Sequence, residues 1–235
     1  MVFYILPDKN HVEKEKKYMM KISASLLACN LAQLALEISK CKKSGVDWVH
    51  FDVMDGVFVD QITYGSPVLK TVRSSTDMFL DVHLMVEDPT KQIKLFADAG
   101  ADLITIHVES FCNISEVLKD IKSRGKKAAL AIKPLTPIEA VYPYLHLCDM
   151  VLVMTVEPGY GGQMFIPETV EKISALRKVT DNLGMKDFDI QVDGGINEKT
   201  AVTAKEAGAN VLAVGTTLFK ADNMKAVCDE LKKSV

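Results

Sequence analysis

The chain has no run of about 18 apolar residues, the length that a membrane-spanning helix requires. Charge of neither sign is in excess: 28 Lys and Arg stand against 31 Asp and Glu, a net charge of −3. That balance leaves no electrostatic footprint for nucleic acid or an anionic membrane, and neither is expected as a partner. No two of the five cysteines (Cys29, Cys41, Cys112, Cys148 and Cys228) form a CxxC pair, and their number is odd. Such usage excludes a disulfide or zinc framework and points to a reduced, cytoplasmic protein with inert thiols. A GxGxxG fingerprint is missing after the first β-like run, which argues against a dinucleotide fold. Residues 1–20, MVFYILPDKNHVEKEKKYMM, lack a basic stretch before their short apolar start and a small-residue cleavage site after it. They read as a polar, poorly ordered extension rather than a signal peptide. Beyond them no linker or low-complexity segment interrupts the chain, so one domain is expected over residues 21–235.

What is present is an alternation. Apolar, β-branched runs at 21–27, 48–54, 78–85, 103–108, 128–133, 150–156, 188–192 and 211–215 predict eight strands. Between them lie amphipathic stretches such as 31–45, 89–100, 114–125, 169–184 and 198–208. Several close on glycine, and the stretch at 89–100 opens on proline. Ala99-Gly100-Ala101 and Ala207-Gly208-Ala209 mark helix-to-strand turns. Eight βα units in a chain that is 48% hydrophobic predict a (β/α)8 TIM barrel, with a doubly wound sheet as the competing architecture. In either fold the ligand lies beyond the carboxyl ends of the strands.

Polar residues sit where a core strand would not need them. In VHFDVMDG, His50, Asp52 and Met54 are two apart and share one face of a strand. DVHLMV repeats the device with His83 and Met85, and IQVDGG ends an apolar run on Asp193. A lone histidine in a strand reads most simply as a hydrogen-bonded core residue. Four titratable groups facing one barrel interior are costly to bury unpaired, and a cation held by His50, Asp52, His83 and Asp193 removes that cost. Met54, Met85 and Met154 read either as core filler or as an apolar collar above the ion. Gly194-Gly195 and Gly215-Thr216, before helix 7 and before the last helix, stand where barrels often bind phosphate. EPGYGGQ at 157–163 has the glycines of a loop that folds over a ligand. Lys133, at the end of the fifth run, leaves open a Schiff-base aldolase.

HFDVMDGVFV (50–59), DVHLMV (81–86), MTVEPGYGGQMF (154–165) and VDGGI (192–196) together resemble the ribulose-phosphate 3-epimerase family, in order and spacing, over residues 21–235. The resemblance implies His50, Asp52, His83 and Asp193 as ligands of one divalent metal, zinc first, with iron(II), manganese or cobalt as alternatives. It implies Asp52 and Asp193 as the acid/base pair and Ser25 and His83 as substrate contacts. Met54, Met85 and Met154 would form the collar. Gly161, Gly162, Gly194, Gly195, Gly215 and Thr216 would hold the phosphate. The implied activity is epimerisation of D-ribulose 5-phosphate and D-xylulose 5-phosphate at C3 in the pentose phosphate pathway. It needs no organic cofactor, and the implied assembly is a homo-oligomer, a dimer rather than a hexamer. The chain departs from the family pattern at Ala24, at Cys29-Asn30 and at Thr216, none of which is among the four ligands. A six-carbon ketose phosphate epimerase, or a barrel that only binds a sugar phosphate, would be built from the same residues.

Overall fold

Residues 19–233 are described by a computed structural model, so the expected N-terminal extension, apart from Met19 and Met20, and residues 234–235 lie outside the described residues. The apolar runs form β1 (Lys21–Ser25), β2 (Trp48–Met54), β3 (Phe79–Met85), β4 (Leu103–His107), β5 (Lys127–Ile132), β6 (Met150–Met154), β7 (Asp189–Asp193) and β8 (Val211–Val214). Each pairs in parallel with the next, and β8 returns to β1, which closes a (β/α)8 barrel. Closure covers both faces of every strand. That is why β2, β4, β6 and β8 are buried at every position and read in the sequence as runs rather than strict alternation.

The helices are α1 (Leu34–Lys43), α2 (Ser66–Ser75), α3 (Gln92–Asp98), α4 (Ile114–Ser123), α5 (Thr169–Asn182), α6 (Glu198–Glu206), α7 (Thr216–Phe219) and α8 (Met224–Lys232). Helix α4 shows how they are specified. Ile114, Val117, Leu118 and Ile121 are buried at three- and four-residue spacing, and the Asn113 side chain accepts the Glu116 N–H at its start. Outward-facing strand residues such as Phe51, Val82 and Ile104 pack with Leu69, Phe96 and Leu118 of the helical layer in one continuous core. Among the described residues no helix is long and apolar enough to cross a membrane.

Several boundaries differ from the sequence expectation for local reasons. β1 stops at Ser25 because the chain tightens into a 3-10 turn at Leu26–Ala28. A second 3-10 turn, Leu31–Gln33, starts under the Asn30 cap, so α1 begins at Leu34. Pro89 lies in the turn before α3, its carbonyl accepting from Gln92 and Ile93. The fifth unit has no α-helix at all. Ile138–Leu147 is 3-10 with Pro143 in its interior, where the missing N–H and the ring bar an α-helical ladder. Gly215 precedes the short α7 rather than the last helix.

Inside the barrel, Trp48, Leu103, Ala129, Met150 and Val211 plug the end where the strands begin. Above them lies a polar layer in which Ser23 and Gln191 donate to Asp81. Asp52, His83 and Asp193 lie toward the carboxyl ends of their strands, as expected, but His50 is only the third of the seven residues of β2. Barrel stagger accounts for the difference: the register sets His50 beside Ser25, the last residue of β1.

Candidate active site

Three strands supply the candidate ligands. Parallel register places Asp52 of β2 beside His83 of β3, and β7 ends on Asp193 beside Met154 of β6. His50 Nε2 lies 3.1 Å from Asp52 Oδ1 and 3.7 Å from Asp193 Oδ2. His83 Nδ1 lies 3.2 Å and 4.0 Å from the same two oxygens. One donor atom from each of the four residues falls within 4.8 Å of the others, a cluster of two imidazoles and two carboxylates that could hold a metal ion. Both imidazoles and Asp52 are buried, while the Asp193 side chain is 18% exposed, toward the cavity.

Hydrogen bonding tests whether a cation fits. The His50 Nδ1–H donates to Asp81 Oδ2 at 2.7 Å, since a carboxylate can only accept. That leaves the Nε2 lone pair aimed at carboxylate oxygens, and Nε2 is a buried nitrogen with no hydrogen-bond partner. A lone pair facing carboxylates is repulsive unless a positive charge stands between them, so the donor set fits a divalent ion. Without one, a proton takes that place: burial disfavours the charged imidazole, but Asp52 and Asp81 hold His50 protonated well above the usual histidine range.

The two site carboxylates are driven apart. Burial pushes Asp52 up, yet the adjacent His50 and His83 outweigh it and hold the carboxyl far below the usual range. Ser25 Oγ also donates to Asp52 Oδ2 at 2.7 Å. Asp193 is raised to about 6, first by burial and then by the Asp52 charge. A pair of titratable groups separated in this way can act as base and acid at one pH.

Above the cluster opens a cavity of about 760 Å³. Ser25, Met54, Met85, Met154, Gly161, Gly162, Gly194, Gly195, Gly215 and Thr216 all line it, with Asp52 and Asp193 at its floor. His83 is fully buried and does not line it; the imidazole faces the carboxylates instead. The three methionines of the expected collar all line the cavity and pack in two groups. Met54 and Met85 pack with Val59, whereas Met154 packs with Ala131, Leu152 and Val156. The β7 turn requires its glycines: Gly195 has φ +66°, and a Cβ there would stand 2.3 Å from the Phe165 nitrogen. Thr217 Oγ1 donates to the Ile196 carbonyl, which ties the β7 and β8 turns together. In the 157–163 loop the Gln163 amide donates to the carbonyls of Glu157 and Tyr160. Lys133 lies outside the cavity lining, with its ammonium 3.8 Å over the Phe58 ring.

Sequence reading passed over the residues that orient the ligands: Ser23, Asp81 and Gln191, and on β4 His107. A signal was available. Each stands two residues before a polar inward-facing position (Ser25, His83, Asp193) or, for His107, two residues after Thr105, and so shares its face.

Residues 21–219 match the model of the ribulose-phosphate 3 epimerase family. Ribulose-phosphate 3-epimerase of Bacillus subtilis is 41% identical over 216 residues, covering 92% of this chain and all of the relative. The cytoplasmic isoform of ribulose-phosphate 3-epimerase from rice, Oryza sativa subsp. japonica, is 42% identical over 219 residues, 92% of this chain and 94% of that one. Among solved structures, 3-hexulose-6-phosphate synthase superposes with a TM-score of 0.65 at 18% identity, over 91% of this chain and 98% of that one. KGPDC from Streptococcus mutans superposes with a TM-score of 0.62 at 17% identity, again over 91% of this chain and 98% of that one, which shows a common fold.

Proposed function

The chain belongs to the ribulose-phosphate 3-epimerase family, and from that membership we propose that it interconverts D-ribulose 5-phosphate and D-xylulose 5-phosphate in the pentose phosphate pathway. The C3 proton is transferred through a 2,3-enediolate. One observation carries the reading: Asp52 of β2 and Asp193 of β7 face one cavity floor from different strands. A proton beside a ketone is weakly acidic, so its removal needs a base, and inversion needs a second group to return a proton to the opposite face. Asp52, whose carboxylate accepts from Ser25 Oγ, is the base for one epimer. Asp193, which ends β7 at the same cavity floor, is the matching acid. For the other epimer the roles exchange.

His50, Asp52, His83 and Asp193 would hold one divalent ion, zinc first, with iron(II), manganese or cobalt also suited to two imidazoles and two carboxylates. When bound, such an ion supplies Lewis-acid polarisation of the ketose carbonyl. Ser25 positions Asp52 and lies within reach of substrate hydroxyls. The methionines present apolar wall to the reacting carbons and exclude water. The glycine turns at Gly161-Gly162, Gly194-Gly195 and Gly215-Thr216 receive the phosphate. Lys220, the only cation lining the cavity among the described residues, supports an anionic group at that end. Organic cofactors have no part in this chemistry. Exposed Phe111, Leu135 and Met164, on the consecutive loops after β4, β5 and β6, support self-association, and we assign a homodimer in the cytoplasm.

Proton NMR of D-ribulose 5-phosphate with the protein in D2O tests the reading. Xylulose 5-phosphate carrying deuterium at C3 is expected, and chelation should suppress it. No exchange after zinc, iron(II), manganese and cobalt are each restored would reject the assignment.

A further inference from the structure

The two candidate metal-binding histidines are oriented by different devices. His50 turns Nε2 to the cluster and donates its Nδ1–H directly to Asp81. His83 is reversed: Nδ1 faces the cluster, and Nε2 stands 2.8 Å from Nε2 of a third buried imidazole, His107. Across His83, His107 Nδ1 stands 3.0 Å from Glu109 Oε2. The other oxygen of Glu109 is occupied, accepting from the Lys133 backbone N–H at 2.8 Å and from Thr136 Oγ1 at 2.5 Å.

For two neutral imidazoles, proton counting along this chain has one solution. Glu109, an acceptor on both oxygens, requires a proton on His107 Nδ1. A neutral His107 then has its lone pair on Nε2 and accepts from His83 Nε2–H. His83 is left with its lone pair on Nδ1, the atom that faces Asp52 and Asp193. We propose that His107 and Glu109 are positioning residues that hold His83 in the Nε2–H form and so make Nδ1 a metal ligand. The proposal rests on the reading of the four-residue cluster as a metal site. Anchoring starts outside the active site: Lys133 and Thr136, just past β5, fix the Glu109 carboxylate, and β4 passes that polarity to β3. None of these residues touches the cavity.

Glu109→Gln tests the device without changing shape. With donors from Lys133 and Thr136 on one side, the amide oxygen must face them, so its NH2 faces His107. His107 Nδ1 then becomes an acceptor, its proton moves to Nε2, and His83 is forced to carry a proton on Nδ1. The expected outcome is zinc affinity 10- to 100-fold weaker than wild type by competition with a chromophoric chelator. His107→Phe, which removes the acceptor, should weaken it comparably. His107→Gln, whose amide oxygen can stand near the Nε2 position, should recover most of the affinity. Nitrogen-15 NMR of the zinc-loaded wild type should show His83 bound through Nδ1 with a proton on Nε2. Unchanged zinc affinity in Glu109→Gln, or His83 bound through Nε2, overturns the proposal and leaves the metal reading standing. A wild-type protein that binds no zinc overturns both.

Discussion

Asp52 and Asp193 are the same side chain treated differently by the barrel. Asp52 sits between two imidazoles and accepts from Ser25, so ionisation is favoured in spite of burial. Asp193 ends its strand at the cavity, where burial and the Asp52 charge resist ionisation. Replacing either by Asn keeps the volume and would remove the proposed proton transfer. Turnover of Asp52→Asn and of Asp193→Asn should fall at least about a thousandfold in steady-state assays, within the range that acid–base groups contribute, while circular dichroism stays that of wild type. Activity within tenfold of wild type in either variant would remove these residues from the acid/base role. All four ligand positions were legible because polar residues at two-residue spacing stand out in apolar strands. His107 carries the same spacing signal from Thr105, but its role was not legible, since its partner is a residue on another strand and its importance lies in where each nitrogen points.

At the scale of elements, the turns after β6, β7 and β8 line the cavity where we place the phosphate. The helices expected at 31–45, 89–100, 114–125, 169–184 and 198–208 from apolar periodicity and Gly punctuation all form, with ends up to three residues inside those bounds. The 3-10 segment at Ile138–Leu147 was not anticipated, although Pro143 announces that no α-helix can run through it. The β7 turn is the element most exposed to a small change. Gly195→Ala would place a methyl against the Phe165 backbone and put an alanine at φ +66°. Strain of about 1–2 kcal/mol is expected from the backbone conformation alone. Because the turn lines the cavity, KM for the sugar phosphate should rise more than kcat falls. An unchanged KM would take this turn out of phosphate binding.

At the scale of the molecule, closing the barrel gathers two imidazoles and two carboxylates at its centre, and a cation held there would couple site to stability. Chelation should lower Tm, with a contribution of about 2.7 kcal/mol for an ion present at a hundredfold its Kd. The size of the loss depends on pH. Asp193 has a folded pKa of about 6, above the ordinary aspartate value of 3.8. Its contribution in the metal-free protein is therefore fully present below the unfolded value and lost as pH rises through about 6. Asp52 and Asp81 are depressed, so theirs is lost only as pH falls below that window. As pH rises from about 4 to about 6 the chelated protein should thus lose the contribution of Asp193. Thermal melts with and without chelator should diverge as pH rises. Parallel curves would mean that no ion relieves the Asp193 charge.

By itself the sequence determined the eight-fold alternation, the face on which each titratable side chain would lie and the glycines needed at the turns. These are local properties, set by a period of two in strands, by apolar burial and by backbone sterics. Only the tertiary structure decided how close the four ligand residues come, that His50 reaches them from lower in the barrel, and that His83 and His50 present different nitrogens. Those outcomes depend on barrel stagger and on hydrogen bonds between residues far apart in the chain, such as Gln191 to Asp81. No local pattern encodes such distances; they exist only once β8 has met β1.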